Sequence, residues 1–185
     1  MTTEKVKMIT GENYLASDQE LVNDRLACRE RLQRLNSSIS TSSEWRNAID
    51  ALLPHANGAY LEPPFYCDYG YNIKAGKNFY TNFNCIILDV APVTIGDNVL
   101  FAPNVQIYTA GHPLDVKSRV EQGVEFGKPI SIGNNVWLGG GVIVCPGVSI
   151  GENSVIGAGS VVTKNIPSNV IAVGNPCRVI STISE

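Results

Sequence analysis

Aliphatic residues recur every six positions through the C-terminal half of the chain. One series comprises Ile132, Leu138, Val144, Ile150, Ile156 and Val162, and a second comprises Val136, Val142, Val148, Ser154, Ser160 and Ile166. An α-helix repeats every ~3.6 residues, so no helix produces this period. Three-residue strands whose side chains point inward, outward and inward do produce a period of six when corners join them, as in Val136-Trp137-Leu138. The pattern therefore predicts three-residue strands joined by corners, an internal repeat of the solenoid type.

The residues between these strands are typical of turns. They form the triplets Gly139-Gly140-Gly141, Cys145-Pro146-Gly147, Gly151-Glu152-Asn153 and Gly157-Ala158-Gly159. Glycine, proline and asparagine tolerate corner geometry. The same scheme fits from Ile73 onward, with strands such as Phe79-Tyr80-Thr81 and Val105-Gln106-Ile107. Most of the chain is therefore expected to be β-structure.

The N-terminal part, from about Thr3 to Leu53, has a helical pattern instead. Ser17 followed three residues later by Glu20 resembles a capping box. Leucines then recur at near-helical spacing, at Leu21, Leu26, Leu32 and Leu35. Residues 44–53 predict a second, short helix that ends before Pro54. We therefore divide the chain into a helical segment, residues 1–57, and a solenoid domain, residues 58–185.

One segment, residues 108–129, interrupts the repeat. The phase is unchanged across it, because the Gln106 strand precedes it and the Ser131 strand follows it, so the segment replaces one corner and protrudes from an edge. Long loops of this kind often carry function. This loop contains His112, whose neutral imidazole can accept a proton near pH 7, although a solvated or structural histidine is the alternative. The role of Glu125, in the same loop, stays open.

Hexapeptide repeats of this kind resemble those of the left-handed parallel β-helix, whose coils have three sides. Every third strand then lies on the same side, which sorts the outward residues into three groups. They are Tyr80, Leu100, Trp137 and Val155; then Ile86, Gln106, Ile143 and Val161; and then Lys74, Thr94, Ser131, Ser149 and Pro167. Two groups are mostly apolar, and an isolated prism would expose them as large patches. A cyclic homotrimer that buries two sides of each prism is therefore expected.

Composition narrows the range of partners. With 14 Lys and Arg, 17 Asp and Glu and a formal net charge of −3, the chain lacks the basic field that nucleic-acid or anionic-membrane binding needs. It shows no apolar signal-peptide core and no run near the ~18 apolar residues of a membrane span. Its five cysteines are odd in number and lack zinc-site spacing. We expect a cytoplasmic protein with free thiols, and neither nucleic-acid nor membrane partners.

Motifs spread over nearly the whole chain carry a family resemblance. They are GENYLASDQEL, EPPFYCDYGYNI, GKNFYTNFNCIILD, IGDNVLFAPNV, TAGHPLD, GKPISIGNNVWLGGGV, IGAGSVVTK and VGNPCRVI. Together they resemble the maltose and galactoside O-acetyltransferases of the hexapeptide-repeat acyltransferases, and CDYGYNI is closer to the maltose enzymes. TAGHPLD with NFYTNFN is specific to this branch. The resemblance implies transfer of an acetyl group from acetyl-CoA to a hydroxyl of a sugar such as maltose or glucose.

The resemblance also implies roles for individual residues. His112 would be the general base that deprotonates the sugar hydroxyl, which attacks the thioester directly without an acyl-enzyme. The backbone N–H of Gly140 would stabilise the oxyanion and contact the cofactor. Further cofactor contacts would come from Ala158, Thr163, Lys164 and Arg178, whose two cations would meet phosphates. Taken alone, Lys164 could be only a solvated surface charge. No metal is required for this chemistry.

The N-terminal segment would lie on the acceptor side of such a site. The acceptor-binding positions that the resemblance indicates are Asp18, Asp68, Tyr80, Asn82 and Trp137, because carboxylates and amides bond vicinal hydroxyls. Asp18 could instead only stabilise a helix N-terminus, and Tyr80 and Trp137 could be interface residues. Val90 stands where the galactoside branch can carry a second aspartate after Asp89, which puts a preference for galactosides in doubt.

Three other classes fit parts of the sequence. Antibiotic acetyltransferases of the same superfamily use an equivalent histidine, but GENYLASDQEL favours the sugar branch. Zinc carbonic anhydrases built on the same helix need three histidines, and this chain has only His55 and His112. A non-catalytic trimeric scaffold predicts that replacing His112 changes nothing measurable.

Overall fold

The structure, a computed structural model, describes residues 2–184, and its first quarter is helical. The helices are α1 (Glu4–Thr10), α2 (Gln19–Asn36) and α3 (Ser43–Leu52). Asp18 caps α2, since its Oδ1 accepts the N–H of Glu20 at 3.0 Å. The predicted cap at Ser17 is therefore wrong by one residue, because the Asp18 carboxylate satisfies the free N–H groups of the first turn.

The rest of the described chain consists mainly of short strands. In chain order they are β1 (Tyr14–Leu15), β2 (His55–Ala56), β3 (Tyr60–Leu61), β4 (Phe65–Cys67), β5 (Ile73–Ala75), β6 (Tyr80–Thr81), β7 (Cys85–Leu88), β8 (Val93–Ile95), β9 (Leu100–Phe101), β10 (Gln106–Tyr108), β11 (Ala110–Gly111), β12 (Val124–Gly127), β13 (Ile130–Ile132), β14 (Trp137–Leu138), β15 (Ile143–Val144), β16 (Ser149–Ile150), β17 (Val155–Ile156), β18 (Val161–Val162), β19 (Val170–Val173) and β20 (Arg178–Thr182).

Parallel pairing stacks these strands into a three-sided solenoid, which confirms the predicted β-helix. Side 1 contains β2, β5, β8, β13 and β16; side 2 contains β3, β6, β9, β14, β17 and β19, with β20 antiparallel at its end; side 3 contains β4, β7, β10, β15 and β18. The outward residues align as predicted, since Lys74 pairs with Thr94, Trp137 with Val155, and Gln106 with Ile143. The inward residues form one continuous core.

The coils are not equally long. Tyr60 pairs with Tyr80, and Tyr80 with Leu100, so the early coils have 20 residues, whereas the coil from Trp137 to Val155 has 18. The extra residues lie at 68–72 and 88–92, between side 3 and side 1. This edge, which also carries residues 108–129, is called the loop edge below.

The last coil is shorter, and the predicted place of Pro167 is wrong. Ile150 bridges Ile166, only 16 residues on. Pro167 therefore falls beside Gly151 and not in the outward column of Ser149. The side chain of Asn165 compensates for the missing strand backbone, because its Oδ1 accepts the N–H of Ser149 at 2.9 Å.

The edge between side 1 and side 2 is held by an asparagine ladder. Its members have φ between 57° and 59°, and each side-chain amide donates to the next at 2.8–3.0 Å; they are Asn78, Asn98, Asn135, Asn153 and Asn169. Asparagine tolerates the left-handed backbone that these corners need. The ladder therefore fixes the stacking of successive coils at this edge.

The helical segment covers the N-terminal end of the solenoid. Leu35, Ile49 and Leu52 belong to the same buried core as Phe65 of β4. The indole N–H of Trp45 donates to the Leu61 carbonyl at 2.9 Å, which ties α3 to β3. Among residues 2–184 no helix is long and apolar enough to cross a membrane.

The loop between β10 and β13 protrudes from its edge, as predicted. Its two ends form an antiparallel hairpin in which Gly111 of β11 pairs with Phe126 of β12. The outer strand of the hairpin pairs in turn with β1, where Tyr14 lies opposite Glu125. The N-terminal segment and the loop are thus joined in one three-stranded sheet.

Candidate active site

His112 lies at the loop edge, directly after β11, and its side chain is exposed. The base of the hairpin is anchored by Thr109, a buried residue. Its hydroxyl donates to the Leu88 carbonyl at 2.6 Å and accepts the N–H of Ala91 at 3.0 Å. These bonds fix the point from which the His112 hairpin leaves the solenoid.

A cleft of about 270 Å³ opens beside this hairpin, below the start of α2. We call it the carboxylate cleft; it is lined by Tyr14, Ala16, Arg25, Arg29, Asp68, Tyr69, Val90 and Glu125. Burial raises the pKa of Asp68 above its ordinary value, and the opposing effect of the Arg25 and Arg29 guanidinium groups only partly offsets this rise. Two carboxylates and two guanidinium groups therefore share one small space, a set suited to binding several hydroxyl groups.

Hydrogen bonds fix the walls of the carboxylate cleft. Arg25 donates from Nη1 to the Tyr69 hydroxyl and from Nη2 to the Ala16 carbonyl, both at 2.7 Å. On the opposite wall the Tyr14 hydroxyl donates to Glu125 Oε2 at 2.9 Å. The sequence left the role of Glu125 open, and the structure places it on β12, one residue from the strand partner of Gly111.

A buried carboxylate that sequence reasoning missed supports the cleft floor. Asp89 is fully buried and accepts the N–H groups of Asp68, Tyr69 and Gly70 at 3.0, 2.9 and 2.8 Å. Burial raises its pKa to about 6. Gly70 has φ 79°, and a Cβ there would lie 2.2 Å from the Leu52 carbonyl oxygen, so this turn requires glycine. The only signal was an aspartate directly after the apolar run CIIL.

A second set of candidate residues lies at the edge between side 2 and side 3, called here the glycine edge. It contains Asn82, Gly140 and Ala158, and the corner at residues 102–104 lies between those of Asn82 and Gly140; the Gly140 carbonyl accepts the N–H of Gly159 at 2.8 Å. The N–H of Gly140 forms no hydrogen bond to another residue between 2 and 184. Arg178 pairs with Val173, where β19 reaches the same edge.

The candidate residues are therefore divided within one chain. His112 and Asp68 lie at the loop edge, as do the exposed Thr163 and Lys164. Asn82, Gly140, Ala158 and Arg178 lie at the glycine edge, a full side away. Tyr80 and Trp137 project from side 2 in one outward column, and Trp137 is 51% exposed.

Asp18 stands apart from both sets, because it caps α2 and does not line the carboxylate cleft. In the part of the chain that the structure describes, no three His, Cys, Asp or Glu side chains converge as metal ligands.

Comparison with known proteins agrees with this architecture. The family described as "Maltose acetyltransferase hexapeptide capping motif" matches residues 7–54, and "Bacterial transferase hexapeptide (six repeats)" matches residues 129–164. Nodulation protein L of Rhizobium meliloti (strain 1021) is 50% identical over 96% of this chain and 97% of its own length. The chain belongs to the hexapeptide-repeat acetyltransferase family.

Solved structures locate it more narrowly within that family. A maltose O-acetyltransferase from Clostridium difficile 630 superposes with a TM-score of 0.95 at 50% identity, covering 99% of this chain and 98% of that one. A galactoside acetyltransferase in complex with coenzyme A gives a TM-score of 0.91 at 44% identity, covering 96% and 90%.

Proposed function

We propose that the protein transfers the acetyl group of acetyl-CoA to a hydroxyl of a sugar such as maltose or glucose. The observation that carries this proposal is the carboxylate cleft beside the His112 hairpin, which offers hydroxyl-binding groups at the same edge from which the exposed His112 projects. The names of the relatives, maltose and galactoside O-acetyltransferase, support the same acceptor class.

In the proposed reaction His112 takes the proton of the acceptor hydroxyl as its oxygen attacks the thioester carbonyl. The new C–O bond gives a tetrahedral oxyanion, and the free N–H of Gly140 is the donor aimed at it. Collapse breaks the C–S bond, and the CoA thiolate leaves with the proton that His112 had accepted. The products are the acetylated sugar and CoA, and no acyl-enzyme forms.

Groups that fit acetyl-CoA line both edges. The corners at Gly140 and Ala158 carry little side chain, so a pantetheine arm can approach their backbone closely. Lys164 and Arg178 are exposed cations suited to phosphates. Because they lie at different edges, one cofactor can meet both only where the edges of two subunits face each other.

The protein is accordingly proposed to act as a homotrimer with its sites between subunits. Apolar outward columns on sides 2 and 3 supply the contact surfaces, including the exposed Leu100 and Trp137. A site shared by two subunits requires that the loop edge of one copy approaches the glycine edge of the next. Light scattering at micromolar concentration should give three times the chain mass, and a monomeric mass contradicts this arrangement.

The catalytic proposal is tested by an acceptor screen with acetyl-CoA, following thiol release. The His112→Ala variant should lose ~10²-fold or more of kcat/KM while its thermal unfolding is unchanged. The matched control is His55→Ala, because His55 is the other histidine and is exposed on side 1. Turnover with chloramphenicol-type antibiotics but not sugars would favour the detoxifying alternative, and an unaffected His112→Ala variant would favour a silent scaffold.

A further inference from the structure

A second cleft continues from the carboxylate cleft along α2. Its volume is about 430 Å³, and it is lined by Arg29, Leu32, Gln33, Asn36, Tyr66, Cys67, Asp68 and Leu88. Arg29 and Asp68 line both clefts. The two therefore form one trough, and we call the second part the Tyr66 cleft.

The trough follows one face of α2. Arg25, Arg29, Gln33 and Asn36 are four, four and three residues apart, so they lie on neighbouring turns of the same helical face. At 1.5 Å per residue the run from Arg25 to Asn36 spans about 16 Å. The opposite wall is β4, against which α2 packs. A ligand in this trough can be much longer than one sugar ring.

The lining of the Tyr66 cleft suits a sugar ring. Tyr66 is 47% exposed and offers an aromatic face, while Leu32 and Leu88 add apolar surface. Such a surface packs against the C–H face of a pyranose, and Tyr brings a hydroxyl as well. The side chains of Gln33 and Tyr66 make no hydrogen bond to another residue between 2 and 184, so their polar groups are available to hydroxyls.

Asn36 differs from its neighbours, because its amide is already used. Its Nδ2 donates to the Phe65 carbonyl at 3.0 Å, and its Oδ1 accepts the Phe65 N–H at 2.9 Å. These bonds fix β4 against the end of α2. Asn36 therefore shapes the far end of the cleft, and Gln33 with Arg29 provides its free polar rim.

Size also points to a ligand that fills both parts. The carboxylate cleft alone, at about 270 Å³, is smaller than the ~300–1,000 Å³ usual for small-molecule sites. With its continuation the trough falls inside that range.

We propose that the acceptor is an oligosaccharide: the ring to be acetylated binds in the carboxylate cleft, and the adjoining ring binds in the Tyr66 cleft against Tyr66 and Gln33. This inference rests on the sugar acetyltransferase function proposed above.

A second copy of the chain is the competing occupant, since Tyr66 heads the outward column of side 3. Continuity with the carboxylate cleft favours the sugar, because Tyr66 borders Asp68 at the loop edge, where the proposed contact between subunits must leave the acceptor site open.

The test compares acetylation of glucose, maltose and maltotriose by the wild-type protein and two variants. Tyr66→Ala removes the aromatic face, and Gln33→Trp fills the cleft without changing Asp68. Wild type should show kcat/KM at least ~10-fold higher for the disaccharide than for glucose. Both variants should lose this preference while their kcat/KM for glucose stays unchanged. Arg34→Trp is the matched control, since Arg34 lines the groove between α2 and α3 instead.

Three outcomes overturn the inference. Equal kcat/KM for the three sugars in wild type shows that no second ring is recognised. An equal loss of kcat/KM for all three sugars in the variants shows that Tyr66 and Gln33 support the structure and do not recognise a second ring. A change of oligomeric mass in Tyr66→Ala makes Tyr66 a contact between copies. If instead the wild type acetylates no sugar of any length, the proposed function itself is wrong, and this inference is wrong with it.

Discussion

Asp89 Oδ1 accepts the backbone N–H of Asp68 at 3.0 Å, so the buried Asp89 carboxylate fixes the backbone from which the Asp68 side chain enters the carboxylate cleft. Asp89 also binds the next two N–H groups of the turn, and its own carbonyl accepts Asn72 Nδ2 at 2.7 Å. The two extra residues of the early coils create the space for this arrangement. The floor of the carboxylate cleft is therefore built by a departure from the six-residue repeat.

The buried charge of Asp89 predicts a specific pH dependence of stability. Its folded-state pKa is about 6, above the ~3.9 of an unfolded aspartate. Between these values the folded state binds more protons, so the free energy of unfolding falls as pH rises, by about 3 kcal/mol from this group. Denaturant unfolding from pH 4 to pH 7 should show this fall in wild type and a clearly smaller one in Asp89→Asn, in which only the raised pKa of Asp68 still contributes.

The same variant tests the positioning of Asp68. With one N–H acceptor lost in Asp89→Asn, the turn should loosen and KM for the sugar should rise several-fold, while KM for acetyl-CoA stays constant. In a protein that already carries Asp68→Asn, adding Asp89→Asn should raise KM for the sugar little further, because both substitutions act through the Asp68 side chain. A stability difference between wild type and Asp89→Asn that does not change with pH would contradict the titration of Asp89. Fully additive effects on KM would contradict its role in positioning Asp68.

The pairing of Tyr14 with Glu125 leads to a second prediction. Tyr14→Phe keeps the buried ring but removes the hydroxyl that holds Glu125, so β12 and the His112 hairpin lose one fixed contact with β1. The free energy of unfolding should fall by ~1 kcal/mol, and kcat should fall several-fold. Hydrogen exchange of the β11 and β12 amides should become faster.

Tyr60→Phe is the control for this change, because Tyr60 is half-buried and its hydroxyl binds no other residue between 2 and 184. Equal effects of the two substitutions would mean that the Tyr14 hydroxyl does not hold the hairpin.

The sequence period was sufficient to predict the solenoid, because inward positions such as Leu138 and Val144 must repeat once per strand. It also located the loop edge at residues 108–129. The carboxylate cleft was not predictable in the same way, since Tyr14 and Glu125 lie 111 positions apart and belong to no periodic series. Leu26 shows a related limit: helical spacing placed it with the other leucines, yet it is 54% exposed and Cys28 is buried instead. Only packing against the solenoid decides which face of α2 is covered.

The asparagine ladder gives a third prediction, which separates backbone strain from hydrogen bonding. Asn135 has φ 58° and bonds to both Asn98 and Asn153. Asn135→Ala loses both bonds and keeps a Cβ in the left-handed region, whereas Asn135→Gly loses only the bonds. Thermal unfolding should therefore rank the variants wild type, Gly, Ala, with Ala ~1 kcal/mol below Gly. An alanine variant as stable as the glycine variant would show that the corner is unstrained.

The division of candidate residues between two edges predicts complementation between inactive subunits. His112→Ala removes the proposed base at the loop edge, and Asn82→Ala removes an amide at the glycine edge. Each variant alone should have little activity. If every site takes His112 from one subunit and Asn82 from its neighbour, co-expressed trimers at equal ratio contain intact sites, about a quarter of the total by random assembly.

Co-purification through two different affinity tags, followed by acetyl transfer assays, measures the recovered activity. Mixing the separately purified variants without exchange of subunits is the control, because it creates no new interface. Recovery in the mixed trimers requires that the two edges of neighbouring copies meet. Activity no higher than that of the separate variants would contradict a site shared between subunits. It would mean either that His112 and Asn82 act within one chain, although side 3 separates them, or that Asn82 does not belong to the site.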